Sequence, residues 1–90
     1  MLITETITII NKLGLHARAA SKLVATASRF QSTIELENNG QKADAKSIMS
    51  ILMLAASKGT ALEVIIQGQD ADEAFAAINI LINNRFDEDE

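Results

Sequence analysis

The dipeptide Asn39-Gly40 constrains the fold of this chain most, because it predicts a tight turn between two antiparallel strands. Both central residues of a type I′ turn need positive φ, and Asn-Gly adopts that conformation readily. The residues before the turn, Thr33–Glu37, alternate between apolar and polar, as in a strand with one buried face. The residues after it, Gln41–Ala45, are weakly apolar and predict a short strand at a sheet edge.

Two further strands and three helices flank this hairpin, in the predicted order βαββαβα. β-branched residues favour the strands, and apolar residues at helical spacing predict the helices. The predicted elements are Ile3–Ile10, His16 to about Phe30, Thr33–Glu37, Gln41–Ala45, Ile48 to about Ala56, Ala61–Gln67, and a helix that Asp70 or Asp72 caps and that reaches about Ile82. We expect Ser47 to cap the second helix and Lys58-Gly59 to close it.

The element order predicts a single α+β domain over residues 1–86, followed by an acidic, mobile and solvated tail at residues 87–90. The first six elements also match a split βαβ, ferredoxin-like domain, which would favour a small-molecule-binding regulatory module. The strand that lies beside the first one distinguishes the two arrangements.

Composition restricts the classes of function. The chain has 90 residues and a net charge of −4, but the last four residues supply four of its twelve acids, so eight acids and eight bases remain elsewhere. This near-neutral body has three aromatic residues and no basic stretch, which disfavours nucleic-acid binding. The chain has no cysteine, which excludes disulfides and thiolate metal sites and fits a cytoplasmic location. It contains neither a membrane-spanning run nor a signal-peptide pattern.

His16, the only histidine, is the candidate functional residue because it begins the first predicted helix. Backbone N–H groups at a helix N-terminus lack intrahelical partners and favour anions such as phosphate. Arg18, one turn in, adds a fork of donors suited to phosphate oxygens. Imidazole can be a covalent nucleophile, so the pattern suggests a phosphohistidine. With one histidine and no cysteine, no nucleophile–base pair of a stand-alone enzyme is apparent.

The residues around His16 match a known motif. Gly14-Leu15-His16-Ala17-Arg18, preceded by Asn11-Lys12-Leu13, resembles the phosphorylation site of the HPr family of bacterial phosphocarriers. The resemblance extends over nearly the whole chain and includes Lys46-Ser47-Ile48-Met49 and Lys58-Gly59. The ending Phe86-Asp87-Glu88-Asp89 is similar to that of the nitrogen-related branch, NPr.

This resemblance implies a phosphocarrier of the phosphoenolpyruvate-dependent phosphotransferase system. His16 would accept a phosphoryl group from Enzyme I and pass it to IIA proteins, in sugar uptake or in regulation. Arg18 would recognise the phosphoryl group and the partners. The family implies a monomer without metal or cofactor. Its fold is an open-faced sandwich, in which three helices cover one face of a four-stranded antiparallel sheet of order 1-4-2-3.

Two positions carry further expectations. Ser47 begins the second helix as a cap, and its surroundings also resemble the site that HPr kinase/phosphorylase modifies. Ala19 stands where the family usually has proline, which is tolerated in a first helical turn. We expect carrier activity to survive this substitution.

The second helix is apolar all round, which predicts a partner surface. A core-facing stripe of Ile51, Leu54 and Ala55 would leave its other apolar residues exposed beside His16. Methionine suits a surface that must accept several partners. Together with the residues that the family resemblance adds from the first helix, the predicted partner surface comprises Leu15, Ala17, Ala20, Ile48, Met49, Leu52 and Met53.

Overall fold

Four strands and three helices follow one another in the predicted order in a computed structural model that describes all residues, 1–90. Their bounds are β1 Leu2–Thr8, α1 Ala17–Ala27, β2 Thr33–Asn38, β3 Gln41–Asp44, α2 Ile48–Met53, β4 Ala61–Gln67 and α3 Ala71–Asn83, followed by a short C-terminal turn at Arg85–Asp87. Asn39 and Gly40 have φ values of 51° and 84°, so the type I′ turn is confirmed.

The strands form one antiparallel sheet in the order β1-β4-β2-β3. Ile3 lies opposite Ile66, and Leu36 lies opposite Val64, so apolar side chains of neighbouring strands meet on the same face. β1 is an edge strand beside β4, whereas a split βαβ sheet has its first and third strands in the centre. The open-faced sandwich is therefore confirmed and the ferredoxin-like arrangement is excluded.

The core lies between one face of the sheet and the three helices. Leu23 of α1, Ile51 of α2 and Ile78 of α3 are fully buried against strand residues such as Val64 and Ile66. Burying a side chain of this size contributes roughly 1.5–3 kcal/mol. Residues on the opposite face of the sheet are exposed or half-buried. The helices are therefore held on one side, and their outer ends are free to carry a functional site.

α2 is shorter than its apolar pattern predicts. It ends at Met53, because the backbone of Ala55 turns left-handed with φ of 50°. Ala55, which was predicted to face the core, is consequently exposed, and Ala56 is buried in the core instead. Gln41 Nε2 donates to the carbonyl oxygen of Met53 over 3.4 Å, which satisfies one of the helix's last acceptors. The prediction that Lys58-Gly59 closes the helix is therefore wrong. These two residues lie in the connection between α2 and β4.

α1 ends at Ala27, three residues before the predicted end. None of the helices is both long enough and apolar enough to cross a membrane.

Candidate functional site

The loop between β1 and α1 is held against the chain that follows α2. The backbone N–H of Leu15 donates to the carbonyl oxygen of Ala56 over 2.9 Å. Gly14 has φ of 68°, and a Cβ at this position would lie 2.5 Å from the same oxygen. A side chain at residue 14 would therefore push the two segments apart. This close approach sets where α1 begins.

His16 is the N-cap residue of α1. Its backbone is extended, with φ of −77° and ψ of 178°, and its side chain makes no capping hydrogen bond. The carbonyl oxygen of His16 accepts the first helical hydrogen bond, from the N–H of Ala20, over 2.8 Å. The N–H groups of Ala17, Arg18 and Ala19, the helical residues before Ala20, have no acceptor within the helix. They are available to an anion beside the imidazole. The predicted position of His16 at a helix start is confirmed.

The His16 imidazole lies in an open cleft that is lined by two cationic residues and by three acidic residues of the C-terminal tail. Its side chain is 29% exposed. The cleft has a volume of about 680 Å³, and its lining includes Lys12, Leu13 and Arg18. A guanidinium and an ammonium beside an imidazole can stabilise the charge of a phosphoryl group. Nowhere in the structure do three or more histidine or acidic side chains cluster in a way that could hold a metal ion.

The C-terminal tail completes this cleft. Arg85, Phe86 and Asp87 all adopt left-handed backbone conformations, with φ between 52° and 64°. Such conformations cost non-glycine residues about 1–2 kcal/mol each, so other contacts must offset them. Phe86 is fully buried in the core, and its carbonyl oxygen accepts a hydrogen bond from Lys22 Nζ over 2.8 Å. Phe86 thereby anchors the turn that directs the last residues back toward α1.

Glu88 lies directly against His16. Its Oε2 is hydrogen-bonded to His16 Nε2, and its Oε1 accepts a hydrogen bond from Asn11 Nδ2 over 3.0 Å. The Glu88 side chain is only 14% exposed. Burial raises the pKa of Glu88, but the hydrogen bonds from Asn11 and His16 and the charges of His16 and Arg18 lower it more, so the pKa of this carboxyl lies below its ordinary value.

The rest of the tail is attached to the same loop. The backbone N–H of Lys12 donates to the carbonyl oxygen of Glu90 over 2.6 Å, and the Lys12 Nζ lies 3.3 Å from the Glu90 carboxylate. Both side chains of this ion pair are exposed, so it contributes little stability. Glu88 therefore departs from the predicted solvated tail, because its carboxylate binds Asn11 and His16. The mobility of residues 87–90 stays a prediction.

The predicted partner surface is reduced by two residues. Leu15 and Ala20 are buried in the core, because the close packing of α1 against its neighbours covers small and apolar side chains at these positions. Their side chains are therefore not part of the exposed surface. Leu52 is half-buried against the core. The exposed members are Ala17, Ile48, Met49 and Met53, and Met49 has 70% of its surface exposed.

Ser47 caps α2, as predicted. Its Oγ accepts a hydrogen bond from the backbone N–H of Ser50 over 3.3 Å. Ala19 lies in the first turn of α1, and its side chain is fully buried.

Sequence reasoning missed Asn11, Lys12 and Glu88 as parts of the site. Asn11 and Lys12 precede the motif, and their polarity is ordinary for a turn. Asn11 is nevertheless fully buried and donates from Nδ2 to the carbonyl oxygen of Gly14 over 2.9 Å, while its Oδ1 has no hydrogen-bond partner. For Glu88, the one signal in the sequence is Phe86, an aromatic residue within a polar ending.

Comparisons with known proteins identify relatives of the whole domain. The family described as "PTS HPr component phosphorylation site" matches residues 3–84. The phosphocarrier protein HPr of Pseudomonas aeruginosa is 54% identical over 85 residues, which cover 93% of this chain and 94% of that protein. The HPr of Xylella fastidiosa strain Temecula1 is 52% identical over 83 residues, which cover 92% and 93%. The phosphocarrier protein NPr of Shewanella violacea is 46% identical over 82 residues, which cover 91% and 90%.

A solved structure supports the same relationship. The crystal structure of HPr-C-His from Thermoanaerobacter tengcongensis superimposes with a TM-score of 0.94 at 43% sequence identity. The superposition covers 98% of this chain and 99% of that one. Sequence and fold therefore agree over the full domain.

Proposed function

The chain belongs to the HPr family of the phosphotransferase system, and we propose that His16 is the residue that accepts a phosphoryl group from Enzyme I and passes it to IIA proteins. The general role of phosphotransferase-system phosphocarrier follows from the family. The proposal includes the acceptor residue and the particular partners. It also includes a monomeric state and a cytoplasmic location.

The observation that carries the proposal is the position of His16 at the start of α1. Its imidazole is partly exposed, it lies beside free helical N–H groups, and it shares a cleft with Arg18. A carrier must stabilise a phosphoimidazole and still leave its phosphorus open to in-line attack by the next acceptor. An open cleft at a helix end meets both requirements, whereas a closed pocket would block the acceptor.

The alternative of a small-molecule-binding regulatory module has lost its support. It depended on a ferredoxin-like sheet, and the strand order β1-β4-β2-β3 differs from that arrangement. It would also leave the anion site at His16 without a role.

Mass spectrometry after incubation with Enzyme I and phosphoenolpyruvate tests the proposal. We expect one added phosphoryl group that is labile in acid and absent from His16→Ala. The same mixture without phosphoenolpyruvate is the control for adventitious modification. Phosphorylation of the His16→Ala variant, or an acid-stable adduct on the wild type, would contradict a phosphohistidine at this residue.

The acceptor defines the branch to which this carrier belongs. A relative named HPr and one named NPr both match most of the chain, so we propose a carrier that serves either sugar uptake or a regulatory relay. The rate of transfer from the phosphorylated protein to a sugar-specific IIA and to a nitrogen-related IIA distinguishes them. A preference of at least about tenfold, or 1.4 kcal/mol in the barrier, would assign the branch.

A further inference from the structure

We propose that Glu88 is a positioning residue for phosphoryl transfer, which accepts the hydrogen bond of His16 Nε2–H and thereby presents Nδ1 as the nucleophile. The inference rests on the proposed function of His16 as the phosphoryl acceptor and names the group that prepares it. Glu88 lies outside the motif around His16 and is separated from it by 72 positions.

The contact between Glu88 and His16 determines which imidazole nitrogen carries the proton. A neutral imidazole carries one proton, on either Nδ1 or Nε2, and the nitrogen without a proton holds the lone pair. An ionised carboxylate can only accept hydrogen bonds. Since Glu88 Oε2 contacts Nε2, the proton must be on Nε2 for a hydrogen bond to form. The contact therefore selects the tautomer in which Nδ1 is free to attack phosphorus.

The Glu88 carboxylate is also held by Asn11. Asn11 Nδ2 donates to Glu88 Oε1 over 3.0 Å, and the same nitrogen donates to the carbonyl oxygen of Gly14 over 2.9 Å. Asn11 is fully buried, and these two hydrogen bonds hold its amide. One carboxylate oxygen is thus held by the loop before α1, and the other is held against the imidazole.

The backbone on both sides of Glu88 is attached to the rest of the domain. On one side, Phe86 is buried in the core and its carbonyl oxygen is bound by Lys22 Nζ. On the other side, the carbonyl oxygen of Glu90 is bound by the N–H of Lys12. Glu88 is therefore held from both sides as well as through its own carboxylate, which is what a positioning residue requires.

The transfer step balances with this arrangement. The Nδ1 lone pair of His16 forms the new N–P bond as the N–P bond of a donor phosphohistidine breaks, and the donor imidazole leaves with the electron pair. The proton on His16 Nε2 stays in place, and the Glu88 carboxylate offsets the positive charge that develops on the ring. In onward transfer the nucleophile of the next acceptor forms its bond to phosphorus as the N–P bond of His16 breaks, and the electron pair of that bond returns to Nδ1.

The tail could instead act as a competitor that blocks the cleft, since it carries negative charge where a phosphoryl group must come. The site of contact argues for positioning, because Glu88 engages Nε2 and the ring's hydrogen bonding leaves Nδ1 unengaged. The two roles predict opposite effects of removing the carboxylate: phosphorylation of His16 would slow if Glu88 positions the ring and would become faster if the tail blocks the cleft.

The primary test is the tautomer of His16 in the full chain, read from ¹⁵N NMR shifts of the ring at a pH where the imidazole is neutral. We expect the wild type to hold the Nε2–H form. Glu88→Ala should lower the ratio of the Nε2–H to the Nδ1–H form about tenfold, because a charge-assisted hydrogen bond is lost. Glu88→Gln should preserve much of the preference, since its amide oxygen still accepts. Glu63→Ala, on the outer face of the sheet, is the matched control and should leave the ratio unchanged.

The second readout is the initial rate of phosphorylation by Enzyme I. We expect Glu88→Ala to slow it about tenfold and Glu88→Gln to restore part of the loss. An unchanged tautomer ratio in Glu88→Ala would overturn the proposal, and so would faster phosphorylation, which would identify the tail as a competitor. Amide NMR spectra of each variant verify the fold. The tautomer measurement needs no phosphoryl donor, so failure of the wild type to accept phosphate would reject the proposed function separately.

Discussion

Asp70, at the N-terminus of α3, accepts a hydrogen bond from the backbone N–H of Ser32 over 2.9 Å. The same carboxylate accepts the N–H of Gln31 over 2.8 Å and is hydrogen-bonded to the Ser32 hydroxyl. Although Asp70 is the N-cap residue by position, its side chain makes no capping hydrogen bond to α3. The prediction that the Asp70 side chain caps α3 is therefore wrong. Its carboxylate instead joins α3 to the connection between α1 and β2.

This contact predicts a stability difference that depends on pH. The Ser32 hydroxyl and then the Gln31 N–H stabilise the ionised form, so the pKa of Asp70 is lowered below 3.8 in the folded protein. A lowered folded-state pKa contributes stability that is fully present above the ordinary pKa and is lost as pH falls through the folded-state value. Urea unfolding should show Asp70→Asn to be less stable than the wild type at pH 7, with the difference shrinking below about pH 4.

Asp72→Asn is the control for this measurement. Asp72 is exposed in the first turn of the same helix, and the hydrogen bonds from Gln31 and Ser32 go to Asp70. If both variants lose the same free energy of unfolding at every pH, the effect comes from the charge near the helix N-terminus. That result would contradict a role for the Ser32 contact.

We expect Arg18 to contribute to the rate of phosphoryl transfer and not to the stability of the fold. Its side chain is exposed in the cleft beside His16, so Arg18→Ala removes a charged donor and leaves the core intact. We expect the rate of phosphorylation by Enzyme I to fall about tenfold or more, with Arg18→Lys in between because lysine keeps the charge but not the fork of donors. Arg29→Ala, beyond the other end of α1, is the matched control. Equal rates for the Arg18 and Arg29 variants would exclude Arg18 from the site.

Met49 should contribute to partner binding rather than to stability. It is 70% exposed on α2, and glutamate suits the first turn of a helix, so Met49→Glu should change the free energy of unfolding by less than about 0.5 kcal/mol. We expect the apparent KM for Enzyme I and for a IIA protein to rise about tenfold, as an apolar anchor is lost. Ile80→Glu, at an equally exposed apolar residue of α3, should leave both values unchanged. If Met49→Glu unfolds the domain and Ile80→Glu does not, Met49 contributes to stability and its assignment to the partner surface is contradicted.

Ser47 should regulate the carrier through added charge. Aspartate is also a good N-cap, so Ser47→Asp keeps α2 folded while it places a negative charge beside Ile48 and Met49. We expect slower transfer at His16 in this variant and, where HPr kinase/phosphorylase is present, in the phosphorylated protein. Ser47→Ala loses about 1 kcal/mol of stability with its cap but should transfer at the wild-type rate. Equal rates for Ser47→Asp and the wild type would count against regulation at this residue.

Local patterns in the sequence determined the elements and the place of His16. Asn39-Gly40 required a type I′ turn because of the φ values that these residues tolerate, and β4 follows its β-branched run from Ala61 to Gln67. His16 at the start of α1 followed from the change from strand to helical periodicity. The strand order was implied only by the family resemblance, since the element sequence also allowed a split βαβ sheet.

Tertiary structure decided which side chains meet. α2 stops at Met53 because the chain must turn at Ala55 to bring the Ala56 carbonyl to Leu15, and no pattern within α2 contains that requirement. Leu15 and Ala20 became core residues because of what packs around them. The approach of Glu88 to His16 depends on the burial of Phe86 and on contacts across more than seventy positions. Periodicity and turn preference act over a few residues, whereas such contacts form only after the sheet and helices have closed around one core.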